Sequence, residues 1–192
     1  LLYQVIKASG AQTSGETKTN SAFSVGTGVR IINADKLFSQ GNIVSSENSL
    51  DVSVDGAGFF QVLMPDGRIV YTRNGAFGRN AEGSLTTASG YVIQPEIVIP
   101  EGVTNINISA DGIVSVQNPG AVEAEEVGQF QLADFPNSRG LQPIGQSMLV
   151  ETPASGAAVV ANPYANGFGS LVQGALESSN VNVVQELVDM IE

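Results

Sequence analysis

The sequence predicts a mainly β fold: an antiparallel β-rich domain of many short strands and hairpins, preceded by an extended N-terminal arm and followed by the start of a C-terminal helix. Three observations predict it. Turn signals built on Gly, Pro, Asn and Asp recur about every 8–12 residues, as in sandwiches and barrels. Only 14% of the 192 residues are charged and 22 are glycine, a composition that favours short strands over long helices. Runs of β-branched and aromatic residues flank the bends Pro65-Asp66-Gly67 and Ala110-Asp111-Gly112. At 42% hydrophobic, the chain can bury a core as one large domain or two small ones.

In chain order, residues 1–7 (LLYQVIK) are apolar and read as a strand or the stub of a removed helix. Residues 8–28 are Gly, Ser, Thr, Ala, Gln and Asn with few large apolar groups, which reads as a loop or extended arm. A structureless segment of that length is uncommon inside a compact domain and is usually functional. The chain therefore divides into an extended segment over 1–28, a β-rich core domain over 29–178, and the start of a truncated C-terminal helix over 179–192.

Within the core, Leu50, Val52 and Val54 alternate with Asp51, Ser53 and Asp55, the pattern of a half-buried strand with a polar outer face. Residues 59–64 and 68–73 form a hairpin about Pro65-Asp66-Gly67, where Pro presets the turn and Gly relieves it. A second hairpin joins 106–108 to 113–116 through Ala110-Asp111-Gly112. Further strands are expected near 91–99, 127–133, 147–151 and 168–176. Phe59, Phe60, Tyr71, Phe77, Tyr91, Phe130 and Phe135 sit mostly on these strands and read as core. Phe59 and Phe60 are adjacent, so they face opposite sides of one strand. One of them must meet a second layer or a neighbouring subunit.

Toward the end, Val183 or Val184, Leu187 and Ile191 recur at helical spacing. Asn182 with Gln185 three residues later fits a capping box variant. No C-cap follows. The chain starts at Leu1 rather than Met and stops at Glu192 inside this pattern, so both ends read as cut.

Residue types exclude much chemistry. His, Cys and Trp are all absent. That removes Ser-His-Asp and Cys-His nucleophiles, His- or Cys-based zinc sites and disulfides. Gly26-Thr27-Gly28 does not extend to a dinucleotide fingerprint, and no Gly-Lys-Ser/Thr occurs. Gly145-Gln146-Ser147 lacks the second Gly of a nucleophile elbow. Asp51 and Asp55 lack calcium-loop spacing. Glu123, Glu125 and Glu126, beside Pro119 and Gly120, read as an exposed loop. No catalytic, cofactor-binding or metal-binding residue is assigned.

Charge is unevenly spread around a net −11. Residues 1–79 hold seven bases against six acids, while from residue 80 onward Arg139 stands alone against thirteen acids. This reads first as a solvated acidic surface. There is no basic patch for nucleic acid, no apolar run of the ~20 residues a membrane span needs, and no visible signal peptide.

The residues now on the page resemble a known family. Ser39-Gln40-Gly41-Asn42, Leu50-Asp51-Val52, and 55–62 (DGAGFFQV) are similar to the flagellar rod and hook protein pattern. It continues through 71–77 (YTRNGAF), 83–87 (GSLTT) and Gly90-Tyr91, and near the end through 173–183 (QGALESSNVNV). Leu1-Leu2-Tyr3-Gln4 and 94–100 (QPEIVIP) favour the distal-rod branch over hook subunits. The resemblance spans nearly the whole chain and is weakest in 8–28 and 117–126.

The resemblance implies a non-enzymatic structural subunit without cofactor. Its β-rich outer domain would sit between N- and C-terminal helices packed as coiled coils in a tube core. It implies export through the flagellum's own secretion apparatus without a cleaved signal, and a place in the periplasm-spanning rod of the basal body. The implied partners are further copies of itself, proximal rod proteins, the hook protein and the P and L ring proteins. Residues 8–28 fall where distal rod proteins carry an extra segment that stiffens the tube. The expected subunit contacts are Gly10, Gly15, Gly26 and Gly28 on the arm, and Asn180, Val183, Leu187 and Ile191 on the helix. A charge at Leu187 is then expected to block assembly, because an apolar core position holds one only at high cost. A proximal rod or hook subunit stays open as an alternative, as does a secreted β-rich carbohydrate-active or adhesive module.

Overall fold

Sixteen short strands follow one another through the part of the chain that the computed structural model describes, residues 40–178. In order they are β1 (Ile43–Ser45), β2 (Val52–Asp55), β3 (Phe59–Leu63), β4 (Ile69–Thr72), β5 (Gly78–Arg79), β6 (Leu85–Thr86), β7 (Val92–Gln94) and β8 (Asn105–Ile108). They continue as β9 (Ile113–Gln117), β10 (Glu125–Gln129), β11 (Leu132–Asp134), β12 (Gln142–Gly145), β13 (Met148–Val150), β14 (Val159–Ala161), β15 (Ser170–Gln173) and β16 (Ala175–Glu177). One 3-10 turn, Ser138–Gly140, is the sole helical element among the described residues. The mainly antiparallel β prediction holds. The expected arm over 1–28 and helix over 179–192 lie outside the described residues, as do 29–39.

The pairings form one large sheet and three small ones. The large sheet runs β12-β13-β4-β3-β7-β6-β5, and β3 also pairs β11, which pairs β14. β10-β9-β8 form a second sheet, β15-β2 a third, and β1-β16 a fourth.

Four bends share one wiring. At 64–67, 80–83, 87–90 and 109–112 the glycine N–H donates to the carbonyl of the first residue. The first residue's own N–H donates to the carbonyl just after the glycine. The closing Gly112 has φ +90, the left-handed position that ends a three-residue hairpin loop. The predicted hairpins at 65–67 and 110–112 are both present. The bends at 80–83 and 87–90 are two further hairpins that the sequence reading did not single out.

The main core gathers Val52, Val54, Phe60, Phe77, Leu85, Ile93, Ile97, Ile99, Phe130 and Leu132 with the inner residues of β8, β9 and β15. Phe60 meets Phe77 edge-on at 4.9 Å and Phe130 at 5.7 Å. Phe59 joins a separate cluster with Tyr71, Ala133, Phe135 and Leu141. Adjacent residues thus serve two cores, and the second layer expected behind this strand is part of the domain itself. Six of the seven singled-out aromatics are buried and Tyr91 is half-buried. Phe77, Tyr91, Phe130 and Phe135, however, lie just outside strand bounds.

Four expectations need correction. The outer face of β2 is polar surface only at Asp55, which is exposed: Ser53 is 0% exposed and the preceding Asp51 7%. β16 packs against β2 and covers it, and Ser53 Oγ is left without a hydrogen-bond partner. The strand expected over 91–99 stops at Gln94, since Pro95 brings no N–H to a ladder. Residues 127–133 belong to two strands with different partners, β10 on β9 and β11 on β3 and β14. Finally, Glu125 and Glu126 are exposed as expected but lie on edge strand β10 rather than in a loop.

Candidate functional site

Strand β1 pairs β16 with Ile43 opposite Glu177 and Ser45 opposite Ala175. The chain therefore enters and leaves the described domain side by side. The pairing is closed at one end by Ser46 N–H donating to Gly174 O at 2.7 Å, and at the other by Ser178 N–H donating to Asn42 O at 2.7 Å.

One side chain braces this junction. Arg73 follows β4, and its guanidinium donates to three carbonyls of β2 and the β2–β3 connection. They are Val54 O at 3.1 Å, Gly56 O at 2.8 Å and Gly58 O at 2.7 Å. The same group grips Glu177 with both arms of its fork, Nη2 to Oε2 at 2.7 Å and Nε to Oε1 at 3.2 Å. Arg73 and Glu177 side chains are only 22% and 14% exposed. A bidentate, partly desolvated pair of this kind is stronger than a surface ion pair and fixes geometry.

Gln40 completes the brace from the entering strand. Its Nε2 donates to Val54 O at 3.1 Å and also to Glu177, and its Oε1 accepts from Gly56 N–H at 2.8 Å. Gly41 N–H donates to Glu177 Oε2 at 3.2 Å. Gly41 runs so close to the leaving strand that a Cβ there would lie 2.0 Å from Ser178 O. A second bracket sits nearby. Gln173 donates to Ser49 O and Ile106 O, both at 2.9 Å, and accepts from Ile108 N–H at 3.0 Å. It ties the end of β15 to β8.

Residues 39–42, 55–62, 71–77 and 173–183 are among the stretches that resemble the rod and hook pattern. Gln40, Gly41, Gly56, Gly58, Arg73, Gln173 and Glu177 come from those stretches and meet at the junction. Spacing gave no sign of this, because Arg73 and Glu177 are 104 residues apart. The expected contact residues Gly10, Gly15, Gly26, Gly28, Asn180, Val183, Leu187 and Ile191 all lie outside the described residues. Among the described residues, no three His, Cys, Asp or Glu side chains converge as metal ligands. No described helix is long and apolar enough to cross a membrane.

The profile of the flagellar hook protein FlgE/F/G D1 domain matches residues 53–116, from β2 through β9. That of the flagellar basal body rod FlgEFG protein C-terminal region matches 172–192. The chain is 45% identical to a flagellar basal-body rod protein FlgG of Buchnera aphidicola, over all of this chain and 74% of that protein. It is 40% identical to the FlgG of Caulobacter vibrioides, over all of this chain and 73% of the relative. The chain belongs to the flagellar basal-body rod protein FlgG family. The hook protein FlgE of Salmonella typhimurium matches only partly, at 39% identity over 48% of this chain and 23% of that protein. In this FlgG family chain, Arg73 falls in the first matched region and Glu177 in the second. The ion pair ties the two together. The family's function is structural, in the rod of the flagellar basal body.

Proposed function

We propose that this chain is a subunit of the distal rod, polymerising into the tubular shaft that carries torque from motor to hook, and that it catalyses no reaction. The observation that supports this best is the braced junction. A domain whose entering and leaving strands are paired and locked by Arg73, Glu177 and Gln40 is suited to be carried rigidly on two flanking segments of one chain. Tubular polymers arise from head-to-tail contacts repeated without closure, and a load-bearing shaft needs each subunit's parts to move together. In this reading, residues 1–28 are an arm that reaches adjacent subunits through Gly10, Gly15, Gly26 and Gly28. Residues 179–192 begin a core helix with Asn180, Val183, Leu187 and Ile191 at its contacts. The partners are other copies of the chain, proximal rod proteins, the hook protein and the P and L rings, reached by export without a cleaved signal.

The test is to delete the gene in the source organism and image isolated basal bodies by electron microscopy. The expected bodies stop at a short proximal rod, with neither distal rod nor hook. Complete rods and hooks in the deletion strain would overturn the assignment.

A further inference from the structure

We propose that Asn166 is a site of spontaneous covalent modification, at which the Gly167 backbone nitrogen displaces the side-chain amide and an aspartate or isoaspartate results.

Asn-Gly occurs twice in the sequence, at 74–75 and at 166–167. The pair is reactive because glycine has no side chain to shield its own nitrogen. The fold treats the two sites in opposite ways.

Asn166-Gly167 is the tip of a loop. Both residues are exposed, with φ +54 and +82. Two left-handed residues in succession make the tight turn for which Asn-Gly is the preferred sequence. Behind the tip, Phe168 N–H donates to Ala165 O and Tyr164 N–H to Gly169 O, both at 2.9 Å. Phe168 packs against the main core and Pro163 is buried. The base of the loop is thus held while its tip stands outside. Nothing lies within 4 Å of a notional Cβ on Gly167. Among the described residues, neither the Gly167 N–H nor the Asn166 carboxamide has a hydrogen-bond partner. The attacking nitrogen and the carbon it attacks are both unencumbered.

Asn74-Gly75 is the reverse. Asn74 Oδ1 accepts from Ala76 N–H at 3.1 Å, which ties the carboxamide down. Asn74 N–H donates to Thr72 Oγ1 at 3.0 Å. Gly75 is buried, and its carbonyl accepts from Val52 N–H at 3.0 Å and Phe77 N–H at 2.9 Å. Reaction there requires β2 to lift away first, and a segment paired inside a core opens only at a cost in free energy.

The step needs only water. Hydroxide takes the Gly167 amide proton, and the nitrogen bonds to Asn166 Cγ. The Cγ–Nδ2 bond breaks, and Nδ2 leaves as ammonia after taking a proton from water. The resulting cyclic imide is opened by water at either of its carbonyls, giving aspartate or isoaspartate. One water is consumed and one ammonia released, with no change of oxidation state. The product adds one negative charge to a stretch, 152–176, that has no charged side chain. Isoaspartate also carries the main chain through the former side chain, which lengthens a turn that has two residues at its tip.

The test incubates the full-length native protein in mildly alkaline buffer and follows its peptides by mass spectrometry, with isoaspartyl methyltransferase labelling to mark isoaspartate. The amide-to-acid mass change is expected in the peptide holding Asn166, as a mixture of aspartate and isoaspartate. Asn74 should react at least about tenfold more slowly, equivalent to an opening cost of about 1.4 kcal/mol or more. In concentrated urea the two rates should converge, because the two sites then differ only in sequence context. Asn166→Gln should lose the modified peptide and leave Asn74 as slow as before. An unchanged Asn166, equal rates at the two sites in the native protein, or a gap that persists in urea would each overturn the proposal. Aspartate without any isoaspartate would mean direct hydrolysis and would overturn the role of the Gly167 nitrogen.

Discussion

Gly75 has no room for a side chain. A Cβ there would lie 1.5 Å from Val52 O and 3.3 Å from the Phe60 ring, and Gly75 O accepts from Val52 N–H at 3.0 Å. Gly75→Ala must therefore push β2 off the main core. The expected cost is about 3 kcal/mol, the upper range for overpacking, read as a lower midpoint in urea unfolding. Gly78, with nothing within 4 Å of its notional Cβ, is the control, and Gly78→Ala should stay within about 0.5 kcal/mol. Equal midpoints would mean that β2 yields without cost. Tyr71 supplies the pH dependence. Burial first, and then the charge of Glu151, raise its phenol above the ordinary 10.0. The native state therefore holds this proton longer than the unfolded chain. Its stabilisation is complete below about pH 10 and drains as pH climbs through the native value. Between about pH 9 and 11, wild type should lose more stability than Tyr71→Phe in parallel denaturant titrations. Parallel losses would mean that the phenol titrates normally. Phe59 and Phe60 were legible as a two-sided pair, because neighbours on a strand alternate faces whatever surrounds them. Ser53 was misread by the same rule, since alternation cannot tell whether a second element covers the polar face.

Among elements, hairpins read best where both flanking strands are long enough to show a pattern. The bends at 64–67 and 109–112 join strands of four or five residues, whereas those at 80–83 and 87–90 join strands of two or three. Two residues carry no periodicity, so β5 and β6 left no signal. The junction was invisible for another reason. Its polar ligands reach Arg73 from 15 to 104 residues away along the chain, and an arginine shows nothing of its partners in sequence. Removing it should leave the two cores folded and loosen the β1–β16 ribbon. Arg73→Ala is expected to speed hydrogen exchange at the Ser178 and Gly41 amides at least about tenfold, given roughly 1.5–3 kcal/mol for charged hydrogen bonds. The core amides of Val62 and Val70 should be unaffected. Unchanged exchange at Ser178 and Gly41 would mean that the guanidinium is not what holds the ends together.

For the whole molecule, the sequence carried the β architecture and the family resemblance, while the paths of 1–28 and 179–192 stay at the level of pattern. The Gly-, Ser- and Thr-rich composition of 8–28, with few large apolar groups, suits a segment that orders only against neighbouring subunits. Deleting 8–28 should shorten or soften the rod, measured as rod length in isolated basal bodies and as swimming speed. Wild-type lengths and speed after the deletion would remove the arm from the mechanism. The side-by-side ends of the domain reach further. Ser46 N–H meets Gly174 O across the mouth of the β1–β16 ribbon. Everything between those two residues is a closed excursion that departs and returns at one point. Such a cassette could grow or shrink at its far loops while the chain on either side kept its path, provided that Arg73 and the β2–β3 carbonyls stayed to hold Gln40 and Glu177. The domain's size and decoration are thereby uncoupled from the scaffold that carries it.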